Sequence, residues 1–531
     1  MTSKCGAVLG GAMAACALAA IPAHAQPFAD ADNARSRYTV ADVAPREECE
    51  RLADLDLPEV VRLEARSVPA GDGAPPHCRV SGVLDPEIAF EVNLPAAWNG
   101  RFYMIGNGGH AGERPDAPMR AAQRAAALAH GFAMASTNTG HDAMEEPGGT
   151  FVLSNPQKAI DYAYRAVHLT AVTAKEIVSR YYGRVADYSY WNSCSNGGRQ
   201  GLIEAQRYPE DFDGIVANAP WVDQTGFTVG ALWNQRALEG AGLTAKHLAL
   251  VAERVMAKCD VVDGLEDGLI DDPRNCSFDV ATEVPICPEG SQSAACLTPE
   301  QAAAIQKVYD GPRAGDRQIF PGFMLGSEAV APGFFGGEPM SGWMNLIVPA
   351  QPGAKPADFA LAEATLRYLV FDPPRPDYDY HDFDFERDLP LLERWGRLAD
   401  ATDTDLQPFR ARGGKLIMTY GWADAILQPL MGVEYYERAA AQNADATEFM
   451  RLFMVPGMAH CAGGVGPDQN DAVTAIIDWV EQGVAPDRLI AKKIVDGETV
   501  RSRPLCPYPQ VARYRGEGSI DDAASFECRA P

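Results

Sequence analysis

At 531 residues the chain is too long for one small core, and its composition, 47% hydrophobic and 22% charged, is typical of a soluble globular protein. Its formal net charge of −26 repels nucleic acids and anionic membrane surfaces, so neither is expected as a partner.

The first 25 residues have the pattern of a secretory signal peptide. Lys4 precedes an alanine-rich apolar run, and Ala23-His24-Ala25 offers a small-x-small cleavage site before Gln26. A membrane anchor is the weaker interpretation, because the run is short for a span and no polybasic segment follows it. We therefore expect a secreted or periplasmic mature protein with no membrane partner.

Predicted strands and helices alternate in two stretches of the chain. Apolar runs and period-two alternation predict strands at 87–94, 101–105, 131–136, 415–420 and 449–455. Helical spacing predicts helices at 155–182, 433–442 and 471–482. Such alternation favours an α/β fold, a mainly parallel sheet with helices on both faces.

The alternation stops after Pro220. Residues 221–404, called the insert below, are rich in Pro, Gly and aromatic residues and contain four cysteines. Residues 371–385 within it are predicted to be a loop. We expect a signal peptide at 1–25, an α/β domain made of 26–220 and 405–531, and an inserted domain at 221–404.

Residues 188–209 have the pattern of a nucleophile elbow. A short aromatic strand turns sharply through residues 193–197, and a helix follows from Gly198 until Pro209 ends it. Such a turn projects a small nucleophilic side chain from the sheet, so Ser195 is the candidate nucleophile. Gly197 fits Gly-x-Ser-x-Gly, but Ser193 stands where the first glycine is usual, so an ordinary strand–helix turn remains an alternative.

A serine nucleophile needs a base and an acid that orients the base, and these lie in loops after parallel strands. Asp424 follows the predicted strand at 415–420, and His460 follows the one at 449–455. The chain order Ser195, Asp424, His460 is that of α/β-hydrolases. The alternatives are a turn cap for Asp424 and a structural turn histidine for His460.

The cysteines predict disulfides. Cys5 and Cys16 leave with the signal peptide, and an even ten remain in an exported chain. Local spacing suggests four pairs: Cys49–Cys78, Cys259–Cys276, Cys287–Cys296 and Cys506–Cys528. Cys194 and Cys461 stand beside Ser195 and His460. If those two side chains are in hydrogen-bond reach, their neighbours are in disulfide reach.

An oxyanion hole needs two backbone N–H donors. Asn196, directly after the nucleophile, is expected to supply one, and Gly109 or Gly108 in the glycine loop at 106–112 the other. That loop also matches Gly-x-Gly-x-x-Ala, a dinucleotide fingerprint. Export and the lack of a suitably spaced acidic residue count against a dinucleotide, so no organic cofactor is expected.

An acidic stretch from residue 259 to residue 272 suggests a hard cation. Asp260, Asp263 and Asp267 recur at short intervals, and Leu265 and Leu269 can add backbone carbonyl oxygens, a donor set that suits Ca²⁺. The spacing is not that of an EF-hand. A solvated acidic loop is the alternative.

Four motifs resemble the tannase/feruloyl esterase family over nearly the whole mature chain: Gly106-Asn-Gly-Gly109, Cys194-Ser-Asn-Gly-Gly-Arg-Gln-Gly201, Gly421-Trp-Ala-Asp424 and Pro456-Gly-Met-Ala-His-Cys461. The paired Cys-Ser and His-Cys motifs are the most specific of these. The resemblance implies an α/β-hydrolase fold with a lid inserted before the aspartate. It also implies the triad and five disulfides named above, and a structural Ca²⁺ in the lid held by the residues at 260–269.

The resemblance implies a serine carboxylesterase acting on small esters of aromatic acids. Feruloyl esters are expected first, with galloyl esters (tannase activity) or mono(hydroxyethyl) terephthalate as alternatives. Aromatic residues of the insert are candidates to hold the acyl group, or alternatively to form the core of the insert: Phe334, Phe335, Trp343, Tyr368 and Phe371. A non-catalytic exported binding protein with this fold is the second hypothesis, and a peptidase is a third.

Overall fold

The computed structural model describes residues 27–531 except 72, 329, 332–339, 350, 352 and 444; the predicted signal peptide lies outside this range. The strands are β1 Val60–Val68, β2 His77–Leu84, β3 Ile88–Pro95, β4 Arg101–Met104, β5 Ala133–Thr137, β6 Tyr188–Cys194, β7 Gly214–Asn218, β8 Arg313–Ala314, β9 Arg317–Gln318, β10 Val330–Ala331, β11 Met340–Ser341, β12 Lys415–Gly421, β13 Met450–Val455, β14 Leu489–Val495, β15 Glu498–Leu505, β16 Val511–Tyr514 and β17 Phe526–Arg529.

The helices are α1 Ala121–Ala129, α2 Phe151–Ser154, α3 Gln157–Ile160, α4 Ala166–Tyr182, α5 Asn196–Arg207, α6 Gln224–Leu238, α7 Ala245–Cys259, α8 Val280–Glu283, α9 Pro299–Asp310, α10 Ala357–Ala364, α11 Glu393–Ala399, α12 Gln407–Ala411, α13 Pro429–Gln442 and α14 Ala472–Gln482. Two π-helical turns, Asp161–Arg165 and Thr365–Val370, adjoin α4 and α10. In the part of the chain that the structure describes, no helix is long and apolar enough to cross a membrane.

A nine-stranded sheet forms the centre, in the order β1-β2-β3-β5-β4-β6-β7-β12-β13. The first three strands and β5 pair antiparallel, and the pairs from β5 to β13 are parallel. Cys194 at the end of β6 pairs with Asn218, and Gly421 at the end of β12 pairs with Val455. The carboxyl ends of these strands therefore share one edge of the sheet, where α/β proteins bind ligands.

Both faces of the sheet are buried under helices. Adjacent β6 residues Tyr190 and Trp191 belong to the two different cores, as alternation along a strand requires. The Trp191 core includes residues of α4, α5 and α13, and the Tyr190 core includes residues of α1 and α14. This is the predicted α/β-hydrolase architecture.

The insert adds no strand to the central sheet within the residues described, since β12 follows β7 in the sheet order. One apolar cluster of the insert joins α7, α9 and Trp343, whose indole N–H donates to Ser327 Oγ at 2.9 Å. A second cluster packs α10 and α11 against Phe151 and Tyr162 of the α/β domain. The predicted domain boundaries stay a prediction.

The local predictions hold with small shifts. The predicted helix at 155–182 is interrupted by the π turn at 161–165. The helix after the elbow starts at Asn196, two residues earlier than predicted, because the turn is complete at Ser195. It ends at Arg207, since the residue before Pro209 is disfavoured in helical conformation. All five predicted disulfides are formed.

Candidate active site

Ser195 lies at the turn between β6 and α5 in a conformation that non-glycine residues rarely adopt, with φ 63° and ψ −126°. Such a backbone costs about 1–3 kcal/mol and persists only where its surroundings enforce it. Here the Ser195 N–H donates to Asn218 O at 3.0 Å, and the Ser195 carbonyl accepts from Trp221 N at 3.0 Å. The predicted nucleophile elbow is therefore formed, although Ser193 replaces the usual glycine.

Asp424 and His460 lie together in the loops after β12 and β13. His460 Nδ1 lies 2.7 Å from Asp424 Oδ2, and both side chains are buried. The other Asp424 oxygen accepts the N–H groups of Ile426 and Leu427, each at 2.9 Å. Because these contacts hold the carboxylate, it can orient the imidazole and stabilise it when protonated.

The disulfide between Cys194 and Cys461 joins the turn that carries Ser195 to the loop that carries His460. Its Cα atoms are 5.9 Å apart, and a ring nitrogen of His460 lies within 4.8 Å of both sulfur atoms. Cys461 has φ 65°, so the loop that carries His460 also turns sharply at this link. The bridge thus limits how far His460 can move from the strand end that carries Ser195.

The structure distinguishes Gly108 from Gly109, the two alternative oxyanion donors predicted in the glycine loop. Gly108 N–H is engaged by the Glu113 carboxylate, with both oxygens at 3.1 Å. Gly109 N–H makes no hydrogen bond to any residue that the structure describes. Asn196 is the first residue of α5, where backbone N–H groups have no partner within the helix. Asn196 and Gly109 are therefore the two donors left available.

Close packing fixes this loop against α5. A Cβ on Gly106 would lie 2.8 Å from Gly197 Cα and 2.6 Å from the Trp191 ring, so residue 106 requires glycine. Gln200 Oε1 accepts Asn107 N–H at 3.0 Å. Arg120 donates to Gly106 O at 2.7 Å and pairs with Glu113 at 2.6 Å. None of these long-range contacts has a local sequence signal.

The acidic loop of the insert brings the predicted carboxylates close together. Asp260 accepts the N–H groups of Asp267 and Gly268 at 3.0–3.1 Å. Asp263 accepts Leu265 N at 2.9 Å, and Asp267 accepts Leu269 N at 3.1 Å. The loop therefore folds around its own side chains.

Two residues that the sequence analysis missed join this loop. Burial and the nearby charge of Asp263 raise the pKa of Asp271 to about 8. Arg503, from β15, pairs with Asp267. Buried carboxylates that repel one another form a donor set of hard oxygens, which fits a divalent cation such as Ca²⁺. Asp271 continues the acidic pattern in sequence, whereas nothing local points to Arg503.

Comparisons with known proteins agree with this geometry. The family model described as tannase and feruloyl esterase matches residues 74–529. The mono(2-hydroxyethyl) terephthalate hydrolase of Piscinibacter sakaiensis is 35% identical over 86% of this chain and 85% of its own. An uncharacterised esterase of Xanthomonas campestris pv. campestris is 36% identical over 90% of this chain and 91% of its own.

A solved structure extends the match to the fold. The crystal structure of feruloyl esterase B from Aspergillus oryzae superposes with a TM-score of 0.76 at 28% identity, covering 91% of this chain and 99% of that chain. The family model covers most of the chain, and the relatives match over nearly their whole lengths. The chain therefore belongs to the tannase and feruloyl esterase family and is a carboxylic ester hydrolase.

Proposed function

We propose that this esterase hydrolyses small esters of aromatic acids through an acyl-enzyme on Ser195, with feruloyl-type esters as the preferred class. The observation that carries the mechanism is the 2.7 Å contact between His460 and Asp424, tied by a disulfide to the strained turn at Ser195. This arrangement gives a serine the base and the orienting acid that it needs.

The proposed reaction has two steps, acylation of Ser195 and hydrolysis of the acyl-enzyme. His460 takes the hydroxyl proton as Ser195 Oγ attacks the ester carbonyl, and the N–H groups of Asn196 and Gly109 hold the oxyanion. The carbonyl re-forms, the ester C–O bond breaks, and His460 gives the proton to the leaving alcohol. Water then loses a proton to His460 and attacks the acyl carbonyl. The bond to Ser195 Oγ breaks, the acid is released, and His460 returns the proton to Ser195 Oγ.

The names of the relatives support an aromatic acyl group and leave a choice of substrate. Feruloyl esterases and a mono(2-hydroxyethyl) terephthalate hydrolase are both similar to this chain. Of the aromatic residues considered, Trp343 lies in the core of the insert, and Phe371 packs with Tyr378. Tyr368 is half-buried beside the second cluster of the insert. Phe334 and Phe335 lie outside the described residues.

We also propose that the acidic loop binds Ca²⁺ through Asp260, Asp263 and Asp267, with the carbonyl oxygens of Leu265 and Leu269. The cation would offset the repulsion among these carboxylates and stabilise the insert.

We further propose that the protein is exported, as the predicted signal peptide indicates. Five disulfides support this, because disulfides persist in oxidising compartments.

The test is a substrate panel with the mature protein in calcium: methyl ferulate, methyl gallate, mono(hydroxyethyl) terephthalate and p-nitrophenyl acetate. Ser195→Ala is assayed in parallel. We expect turnover of at least one aromatic ester, fastest for the ferulate, and loss of it in the variant. Turnover of the acetate alone would contradict the aromatic preference. A folded protein without turnover would favour an exported binding protein instead.

A further inference from the structure

A buried cluster of polar side chains lies behind the two candidate oxyanion donors, and the mechanism above does not use it. The cluster consists of Tyr162, Asn196, Arg199 and Gln224, none of which is more than 1% exposed. It joins the π turn before α4, the first turn of α5 and the first residue of α6. It therefore connects the nucleophile helix to the insert.

The hydroxyl of Tyr162 contacts both sides of the oxyanion hole. It lies 3.0 Å from Gly109 O and 3.2 Å from Asn196 Oδ1, and 2.7 Å from Gln224 Nε2. The indole N–H of Trp395 donates to Gln224 Oε1 at 3.2 Å. Since an indole nitrogen can only donate, the Gln224 amide nitrogen must face Tyr162. The single hydroxyl proton of Tyr162 is thereby left for Gly109 O and Asn196 Oδ1.

Arg199 fixes the other side of the cluster. Its Nε donates to Asn196 Oδ1 at 2.7 Å, and its terminal nitrogens donate to carbonyl oxygens of Ala163, Ala399 and Tyr162. These acceptors are all neutral, and among the described residues no carboxylate forms an ion pair with this guanidinium. A buried cation without a counter-ion is costly, which argues for a role beyond packing.

The peptide group that carries Gly109 N–H is held at its own carbonyl, because Gly108 O accepts Ala111 N–H at 2.7 Å, and the peptide groups on either side of it are held as well. Glu113 binds the Gly108 N–H on one side of it, and Tyr162 binds the Gly109 carbonyl on the other. Gly109 has φ 42° and glycine has broad backbone freedom, so loss of the Tyr162 contact removes one of the three contacts that fix the direction of Gly109 N–H. An oxyanion donor helps only when it is aimed before the reaction begins.

We propose that Tyr162 is a positioning residue for the oxyanion hole, and that Gln224 and Arg199 set the direction of its hydroxyl proton and the orientation of the Asn196 amide. Within the described residues, the Tyr162 hydroxyl bonds to Gly109, Asn196 and Gln224 and to no member of the candidate triad. It aims Gly109 N–H and braces the first residue of α5. The π turn at Asp161–Arg165 supports this role, because such turns are frequent at functional sites.

The test compares Tyr162→Phe with a matched control, Tyr182→Phe. Tyr182 is equally buried and donates to Pro95 O at 2.7 Å, so its variant also loses one buried hydroxyl bonded to a carbonyl. We expect Tyr162→Phe to lower kcat about 10-fold or more with KM nearly unchanged, and Tyr182→Phe to leave kcat unchanged. A trifluoromethyl ketone that forms a tetrahedral oxyanion with Ser195 should bind more weakly to Tyr162→Phe by a similar factor.

A second variant keeps the proposal testable if Tyr162→Phe does not fold. Gln224→Met removes the donor that directs the Tyr162 hydroxyl, and we expect a smaller loss of kcat with the same pattern. The inference rests on the proposed function. If Ser195→Ala retains activity, the proposed mechanism fails; if Ser195→Ala is inactive while both cluster variants match Tyr182→Phe in kcat and inhibitor affinity, only the positioning role is overturned.

Discussion

The Oγ of Ser193 occupies the space that a side chain at residue 197 would need, since a Cβ on Gly197 would lie 2.0 Å from it. The usual elbow has glycine at both positions, whereas this chain needs it only at the second. Ser193 therefore fits this turn because residue 197 has no side chain. Residues 193 and 197 should be strongly coupled.

We predict that Gly197→Ala destabilises the protein by about 1–3 kcal/mol through overpacking and lowers activity sharply. In the Ser193→Gly background the cost should shrink, because the nearest remaining neighbour of the new Cβ is Asn107 N at 3.2 Å. The parent, the two single variants and the double variant form a double-mutant cycle. Urea unfolding of these four proteins measures the coupling free energy between residues 193 and 197, which we expect to be about 1 kcal/mol or more. Additive effects would contradict the steric account.

Removal of the Cys194–Cys461 disulfide should cost both stability and turnover. It closes a loop of 267 residues, for which chain entropy gives about 5.6 kcal/mol, against about 2.6 kcal/mol for the 9-residue Cys287–Cys296 loop. Paired serine variants of each bridge are compared by thermal unfolding and by kcat. We expect kcat to fall only for the first pair, since only that bridge holds His460 near Ser195. Equal kcat values would refute this positional role.

Asp424→Asn should lower kcat about 10³- to 10⁴-fold with little change in KM or stability. The Asp424 carboxylate accepts from His460 and from two backbone N–H groups, and an amide can satisfy only part of that set. The imidazole then loses the acceptor that fixes its tautomer. Steady-state kinetics on the best ester of the panel measure the effect. The exposed Asp487→Asn is the control, and a loss of less than tenfold would count against the triad.

Chelation of calcium should lower the melting temperature of the protein. A bound cation present at a hundredfold excess over its Kd stabilises the folded state by about 3 kcal/mol. Asp263→Asn removes one proposed ligand and should abolish most of the difference between EDTA-treated and calcium-loaded samples. Differential scanning calorimetry checks this, again with Asp487→Asn as control. No response of the parent protein to EDTA or calcium would refute the site.

Glu204→Gln should stabilise the protein increasingly as the pH rises. The carboxyl group of Glu204 is buried, and burial together with the charge of Asp211 raises the pKa of Glu204 well above its usual range. The nearby charged groups are Lys175, which donates to Asp211 O, and His168, whose Nδ1 lies 2.6 Å from Asp211 Oδ2.

The sign follows from proton uptake. Below about pH 4 both the folded and the unfolded chain hold the Glu204 proton, and above it only the unfolded chain releases it, so folding stability falls with rising pH. The glutamine variant lacks this loss. Its melting temperature should exceed that of the parent more at about pH 8 than at about pH 5. The exposed Glu210→Gln should show no such trend, and a pH-independent difference for Glu204→Gln would contradict the prediction.

The sequence by itself determined the features that depend on neighbouring residues. Strand and helix periods gave the elements of the sheet within one or two residues at most ends. Cys194 is adjacent to Ser195 and Cys461 to His460, and this adjacency predicted the disulfide that the structure contains. Ser195, Asp424 and His460 each follow a predicted strand. Because the carboxyl ends of parallel strands share one edge of the sheet, the sequence predicted that all three lie at that edge.

Only the tertiary structure decided which groups are free to act. Gly108 and Gly109 are equivalent in sequence, but a carboxylate five residues away engages the first and leaves the second. Tyr162 and Gln224 carry no local functional signal, and only folding brings their side chains together beside Asn196. Hydrogen bonds and steric contacts between distant segments have no local period or motif, so their partners are fixed only when the chain has packed.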